Sequence, residues 1–359
     1  MMRYLCSLLL SAVCVLGSPA APADTLLLGD GRISSAPASG SVYACQTRFQ
    51  GGGAHGTGSW IHGNTWDPNA KPTVDGAVRW PHASIHIQVE GDRRIVQANN
   101  LPVHTTGRFP ISPSDDSYRY DRNPNSIRAQ SVLLDLPALP TLAARPGCVP
   151  MGMIGFSLTG AALYNALDGM GRDAPAHEIQ DTCQGHPQRS GQYHYHDNSP
   201  CMIDKRSAAG GHSDLVAYAL DGFGMYGLYG TDAKPMTNAS LDACHGHSHR
   251  IDWDGQSREL YHYHMSKEYP YSIGCFRGQV SAAPMGTAAP AGGRQGQRQQ
   301  HEAILRAAAA ELGVSERALR EAVGPPPPDF ARAARQLGVP EEKLRRVMHN
   351  ARQGAMRQP

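Results

Sequence analysis

Hydrophobic and polar positions alternate over short stretches through most of this chain, and its most apolar stretch lies at the start. Ala83-Ser84-Ile85-His86-Ile87-Gln88-Val89 alternates with a period of two. Arg94-Ile95-Val96-Gln97 resumes the pattern after a Glu90-Gly91-Asp92 turn. This predicts a β-hairpin, because side chains on a strand point to opposite faces in turn. From Tyr43 to Leu134 similar short apolar runs are separated by Gly, Pro and Asn, and residues 150–280 continue the pattern with more Gly, Tyr and His. The expected fold is mainly β, with a duplicated β-sandwich-like core. The period changes near the C-terminus. Glu311-Leu312-Gly313-Val314-Ser315-Glu316 recurs as Gln336-Leu337-Gly338-Val339-Pro340-Glu341, each after an Ala-rich stretch and before a Leu at helical spacing, Leu319 or Leu344. Gly as a helix stop and Ser or Pro as a helix start predict tandem helical hairpins over 301–352, with Pro325–Pro328 between the copies.

The apolar start has a separate meaning. Met1-Met2-Arg3 is followed by an apolar Tyr4–Gly17 and by Ala21-Pro22-Ala23. A spanning helix needs about 20 apolar residues, so residues 1–23 are expected to be a signal peptide. The mature chain is then expected to be periplasmic or secreted, with no transmembrane segment. Residues 24–42 are small and polar and expected to be loosely ordered; 43–280 would form the β domain and 281–300, rich in Ala, Pro, Gly and Gln, a linker. The formal net charge of +2 does not point to nucleic acid. Cys6 and Cys14 would leave with the leader. Cys45, Cys148, Cys183, Cys201, Cys244 and Cys275 remain, and in an exported chain they are expected to form disulfides.

The middle of the chain is duplicated. Ala166-Leu167-Asp168-Gly169 matches Ala219-Leu220-Asp221-Gly222. Asp181-Thr182-Cys183-Gln184-Gly185-His186 matches Asp242-Ala243-Cys244-His245-Gly246-His247. Tyr193-His194-Tyr195-His196 matches Tyr261-His262-Tyr263-His264. Each copy, about 160–201 and 215–275, closes with a cysteine. The repeat suggests Cys183–Cys201 and Cys244–Cys275, leaving Cys45 for Cys148, although spacing alone leaves other pairings open. The equivalent motifs are expected to lie near each other or across a pseudo-twofold.

On a strand the two histidines of each tetrapeptide share one face, about 6–7 Å apart from the rise per residue, and the tyrosines share the other. Two imidazoles at that spacing can converge on one ion. Ten histidines fall between His177 and His264. The candidate metal ligands are His194, His196, His262 and His264, gathered together, with His186 and His247 held after a cysteine and a glycine. Asp168, Asp221, Asp181 and Asp242 are candidate outer carboxylates that orient imidazoles, although Asp168 and Asp221 could equally be turn formers. Copper is the first expectation, because Cu(II) binds nitrogen sites most tightly and Met202 and Met265 lie near the motifs; zinc is the second. Catalytic residues are not assigned. Glu178 and Asp181 could act as bases in a metal-dependent hydrolase or oxidase, but no Gly-x-Ser-x-Gly or His-Glu-x-x-His occurs. The alternatives are therefore an exported metal-binding protein, a metal-dependent enzyme, and an extracellular interaction module without metal. The helical tail could dock a protein partner.

These residues resemble the YHYH-domain family. The resemblance runs from about Asn99 to Gly278. It includes Asn100-Leu101-Pro102-Val103-His104-Thr105-Thr106-Gly107, Asn123-Pro124-Asn125, the stretch from Leu163 to His196, Ala219-Leu220-Asp221-Gly222-Phe223, and Tyr261 to Phe276. It implies an exported, mostly bacterial domain and carries no catalytic mechanism. The family's Asp-Gly-Phe-Pro-Ile-Tyr-Gly is replaced here by Asp221-Gly222-Phe223-Gly224-Met225-Tyr226-Gly227, without the proline.

Overall fold

The computed structural model describes residues 25–49, 51–205, 211–280, 304–323 and 330–355. The expected signal peptide, the linker over 281–300 and the Pro325–Pro328 break lie outside them. The chain divides into two compact units, residues 1–287 and 288–359. Among the described residues no helix is long and apolar enough to cross a membrane.

The first unit is mainly β. Strands β1 (Ile85–Glu90), β2 (Arg93–Ala98) and β3 (Val132–Pro137) form an antiparallel three-stranded sheet, with the expected hairpin turning at Gly91 (φ +62°). Eight strands form the principal sheet: β4 (Met153–Ser157), β5 (Ala162–Tyr164), β6 (Gly185–Pro187), β7 (Tyr193–Tyr195), β8 (Leu215–Ala219), β9 (Gly224–Tyr226), β10 (Gly246–Trp253) and β11 (Gln256–His264). Their spatial order is β6-β7-β5-β4-β8-β9-β11-β10. The order reads the same from either edge, so the two halves of the repeat meet at the antiparallel β4–β8 pair, where Phe156 faces Tyr218. The two sheets are joined through Arg94 on β2. Its guanidinium lies over Tyr218 and Trp253, 4.5 and 5.0 Å from the ring centroids, and pairs with Asp254 at 2.7 Å.

The halves agree bond by bond. Ser157 N–H donates to Ala161 and Ala219 N–H to Phe223; Gly160 N–H donates to Ser157 and Gly222 N–H to Ala219. Gly160 and Gly222 both take positive φ, +85° and +90°, in these tight turns. Each half then makes one parallel pair, β5–β7 and β9–β11, and one antiparallel pair, with His186 facing His194 and His247 facing His262. This register corrects one landmark of the repeat. Ala219-Leu220-Asp221-Gly222 is the structural counterpart of Ser157-Leu158-Thr159-Gly160, not of Ala166–Gly169. The two Ala-Leu-Asp-Gly stretches share letters but lie at different points of the fold.

Disulfides join Cys45 to Cys148, Cys183 to Cys201 and Cys244 to Cys275. Residues 25–42, expected to be loosely ordered, are bonded into the core. Leu26–Leu27 pairs with Thr65–Trp66, and the Gly29 N–H donates to the buried Asp173 carboxylate at 2.7 Å. In the second unit helices cover residues 304–312, Glu316–Val323, Phe330–Leu337 and Glu341–Ala355. Gly313 (φ +71°) and Gly338 (φ +66°) end the preceding helices, and Leu319 and Leu344 are fully buried in this unit's own core.

Candidate metal centres

The first cluster sits on β6 and β7. His186, His194 and His196 are each buried, and one nitrogen from each falls within 4.8 Å of the others. The His194 Nδ1–H donates to the Gln192 carbonyl (3.1 Å) and the His196 Nδ1–H to the Asn165 carbonyl (2.5 Å). A carbonyl oxygen can only accept, so both Nδ1 atoms carry the proton in the neutral rings. The two Nε2 atoms then face each other as lone pairs at 3.1 Å. That contact is repulsive unless a cation is held by both. Burial pushes the His194 imidazolium well below its ordinary range, with the charge of His196 adding to it, and pushes His196 down to about 4. A shared proton is therefore a poor tenant at neutral pH, and the paired lone pairs suit a metal ion.

Two neighbours complete this cluster. His186 has no hydrogen-bond partner on either ring nitrogen, and its Nε2 lies 3.5 Å from Glu178 Oε2. The same oxygen is 3.4 Å from His196 Nε2. Burial raises the Glu178 pKa well above the usual carboxylate range. The Asp168 and Asp121 charges reinforce this and Lys71 and Arg172 oppose it. Gly53 (φ +81°) covers the carboxylate: a Cβ there would fall 3.0 Å from Glu178 Oε1 and 2.9 Å from Asp168 Oδ2. Tyr164 stacks on His194 with 3.9 Å between ring centroids.

The second cluster sits on β10 and β11. His247 Nε2 is 3.1 Å from His262 Nε2 across the strand pair, whereas the 3.1 Å contact of the first cluster lies within one strand. The His262 Nδ1–H donates to the Leu260 carbonyl (3.0 Å) and the His264 Nδ1–H to the Gly227 carbonyl (2.7 Å), repeating the Gln192 and Asn165 contacts. His212, from the loop before β8, brings its Nε2 to 3.3 Å from His262 Nε2 and 3.0 Å from His264 Nε2. Its Nδ1–H is directed to the Ser213 carbonyl at 2.7 Å. His249, two residues beyond His247 on the same face of β10, has no hydrogen-bond partner on either nitrogen. One nitrogen from each of His212, His247, His249 and His262 lies within 4.8 Å of the others. Burial pushes His247 down to about 4 and His264 to about 2, and it depresses His262 further.

The structure gathers the six expected histidines into two clusters rather than one. β7 and β11 are separated by four strands, so the clusters stand about 24 Å apart along the sheet at ~4.8 Å per strand spacing. His212 and His249 were not anticipated. His249 could have been read from the alternation His245-Gly246-His247-Ser248-His249, but His212 stands where the first half has Pro150, so the repeat does not signal it. Met202 and Met265 are packed in the hydrophobic core. A third grouping, His104 with Cys183 and Cys201, involves disulfide sulfurs, which are not thiolate ligands.

None of the four aspartates hydrogen-bonds an imidazole; backbone carbonyls orient the rings instead. Asp181 accepts from Tyr193 OH and from the Gly107 and Cys183 N–H groups. Asp242 accepts from Tyr261 OH (3.0 Å) and from the Cys244 N–H. Asp221 accepts from Tyr263 OH (2.6 Å) and the Gly278 N–H. Asp168 accepts from the Met170 and Arg172 N–H groups and pairs with the Arg172 side chain at 2.7 Å. The aspartates thus anchor the tyrosines and turns behind the histidine strands. Asp168 acts on His196 only through its charge.

Residues 134–240 match the family model described as YHYH protein. The match spans the first histidine motif and ends before the second. No curated protein and no solved structure matches.

Proposed function

Taking a YHYH-family domain as the starting point, we propose that this chain is an exported protein that binds divalent transition-metal ions, one at each His-x-His strand. One observation carries the reading. In both halves the Nδ1 atoms of the tetrapeptide histidines are committed to equivalent backbone carbonyls, and an Nε2 lone pair meets a second imidazole nitrogen at 3.1 Å, within the strand for His194–His196 and across the strand pair for His247–His262. Two unrelated packing accidents would not reproduce the same commitments on both sides of a pseudo-twofold. Copper or zinc suits imidazole donors. The export part of the reading is supported by the leader pattern and by the three disulfides.

The test is elemental analysis of the full chain, as isolated and after reconstitution with copper or zinc, against His194→Ala, His262→Ala and the double variant. The expected result is about two equivalents in the parent, about one in each single variant and none in the double variant. No uptake in the parent, with no change in melting temperature on adding either metal, would overturn the proposal and leave the imidazoles as packing groups.

A further inference from the structure

The duplicated scaffold carries two different donor sets. In the first cluster three imidazoles share their space with the Glu178 carboxylate. In the second the added donors are imidazoles, His212 and His249, and no carboxylate belongs to the group. The added donors occupy non-equivalent places. Gln188 stands in the first half where His249 stands in the second, and Glu178 precedes the Asp181–His186 loop where the second half has Ala239 and Ser240. Access differs too: the first three histidines are buried, whereas His212, His247 and His249 are partly exposed.

We infer that the two centres hold different metals, Zn(II) at the His186–His194–His196–Glu178 centre and Cu(II) at the all-imidazole centre built on His212, His247, His249, His262 and His264. The inference rests on the metal-binding reading above. Copper(II) leads the divalent series at any such site, so the question is where limiting copper goes. Exchanging imidazole for carboxylate lowers the advantage of copper over zinc, because carboxylate is the harder donor. Zinc has no d-electron preference and accepts a compact mixed set of three imidazoles and a carboxylate. The second centre offers four or five nitrogen donors, and its partly exposed members admit an ion from solvent.

The test uses the full chain stripped with a chelator, then given about one equivalent of Cu(II) and excess Zn(II), and desalted. The readouts are copper and zinc content and the Cu(II) electron paramagnetic resonance spectrum. The expected result is about one copper and one zinc per chain, with a single copper species whose copper hyperfine lines carry superhyperfine splitting from several nitrogen ligands. His212→Gln should lower copper retention about 10- to 100-fold while zinc stays bound, which also shows that the variant is folded. Glu178→Gln should lower zinc retention by a similar factor and leave the copper spectrum unchanged. Two overlapping copper species at one equivalent, or a copper spectrum altered by Glu178→Gln, would overturn the assignment while leaving metal binding intact. A parent chain that takes up neither metal would overturn both.

Discussion

The two halves of the principal sheet make the same backbone bonds and present different side chains. Strand order, the tight Gly160 and Gly222 turns, and the carbonyls that receive each imidazole Nδ1–H are repeated. What differs is the fourth donor and the polar group behind each second tyrosine. In the first half Tyr195 OH meets the Thr159 hydroxyl at 2.9 Å; in the second Tyr263 OH donates to the Asp221 carboxylate. Duplication has kept the parts that aim the histidines and varied the parts that decide what they hold. Aim depends on main-chain geometry, which tolerates little change. Donor identity depends on single side chains, Glu178 and His212 from loops and His249 from the edge strand β10.

The largest effect on this comparison should come from the disulfides. Cys183–Cys201 and Cys244–Cys275 close loops of 18 and 31 residues, and Cys45–Cys148 closes one of 103. Loop-closure entropy then gives stabilisations of about 3, 4 and 5 kcal/mol respectively. Paired Ser variants, unfolded with denaturant, should lose stability in that order. The two repeat disulfides should differ from each other by less than about 1 kcal/mol. A much larger loss for one of them would mean that the halves are not equivalent scaffolds.

How much of this could be read from the chain depended on whether a feature was local. The hairpin over 85–98, the mainly β fold and the repeat of Cys-x-Gly-His and Tyr-His-Tyr-His were legible, because period and spacing encode them. The register of the repeat was not. Identical Ala-Leu-Asp-Gly letters outweighed the subtler match of Phe156-Ser157-Leu158-Thr159-Gly160 with Tyr218-Ala219-Leu220-Asp221-Gly222, which only the paired turns reveal. The number of centres was hidden for a related reason: strand order, not sequence, sets whether β7 and β11 are neighbours. Glu178 was visible as a carboxylate near the motif but not as a partner of His186 and His196. His212 carries no signal beyond being a histidine, since the first half has Pro150 at the equivalent place.

A second effect belongs to the first half alone. Asp173 is fully buried, and its Oδ2 accepts from the Gly29 N–H and from Tyr271 OH, both at 2.7 Å. The second half has Pro235 at the corresponding bridge position. Burial raises the Asp173 pKa from the ordinary 3.8 to about 6; the hydrogen bonds from Tyr271 and Gly29 oppose this and the nearby Asp30 charge adds to it. A raised carboxyl favours the folded state while it is protonated. Its contribution is complete below pH 3.8 and is lost as pH rises through about 6. Asp173→Asn keeps the accepting oxygen and removes the titration. Relative to the parent, the variant should gain up to about 3 kcal/mol between pH 4 and pH 8. A parent-to-variant difference that stays flat across that range would show that Asp173 keeps its charge at low cost.

The smallest and sharpest test returns to the second tyrosine of each motif. Tyr195→Phe removes a hydroxyl that meets His104 Nε2 and the Thr159 hydroxyl; Thr159 keeps the Ser157 hydroxyl within 3.1 Å, and His104 keeps its Nδ1 contact with the Thr105 carbonyl. Tyr263→Phe removes the acceptor of the Arg277 N–H and a donor from Asp221, a buried carboxylate that keeps only backbone donors at Gly278 and Phe223. A lost neutral hydrogen bond costs about 0.5–1.5 kcal/mol, whereas one to a charged group costs about 1.5–3 kcal/mol. Denaturant midpoints should therefore fall further for Tyr263→Phe than for Tyr195→Phe. In an Asp221→Thr background the second half has the first half's Tyr–Thr pair, and the cost of adding Tyr263→Phe there should come to within about 0.5 kcal/mol of the cost of Tyr195→Phe. A gap that persists in that background would place the difference between the halves in the surrounding packing rather than in this one polar pair.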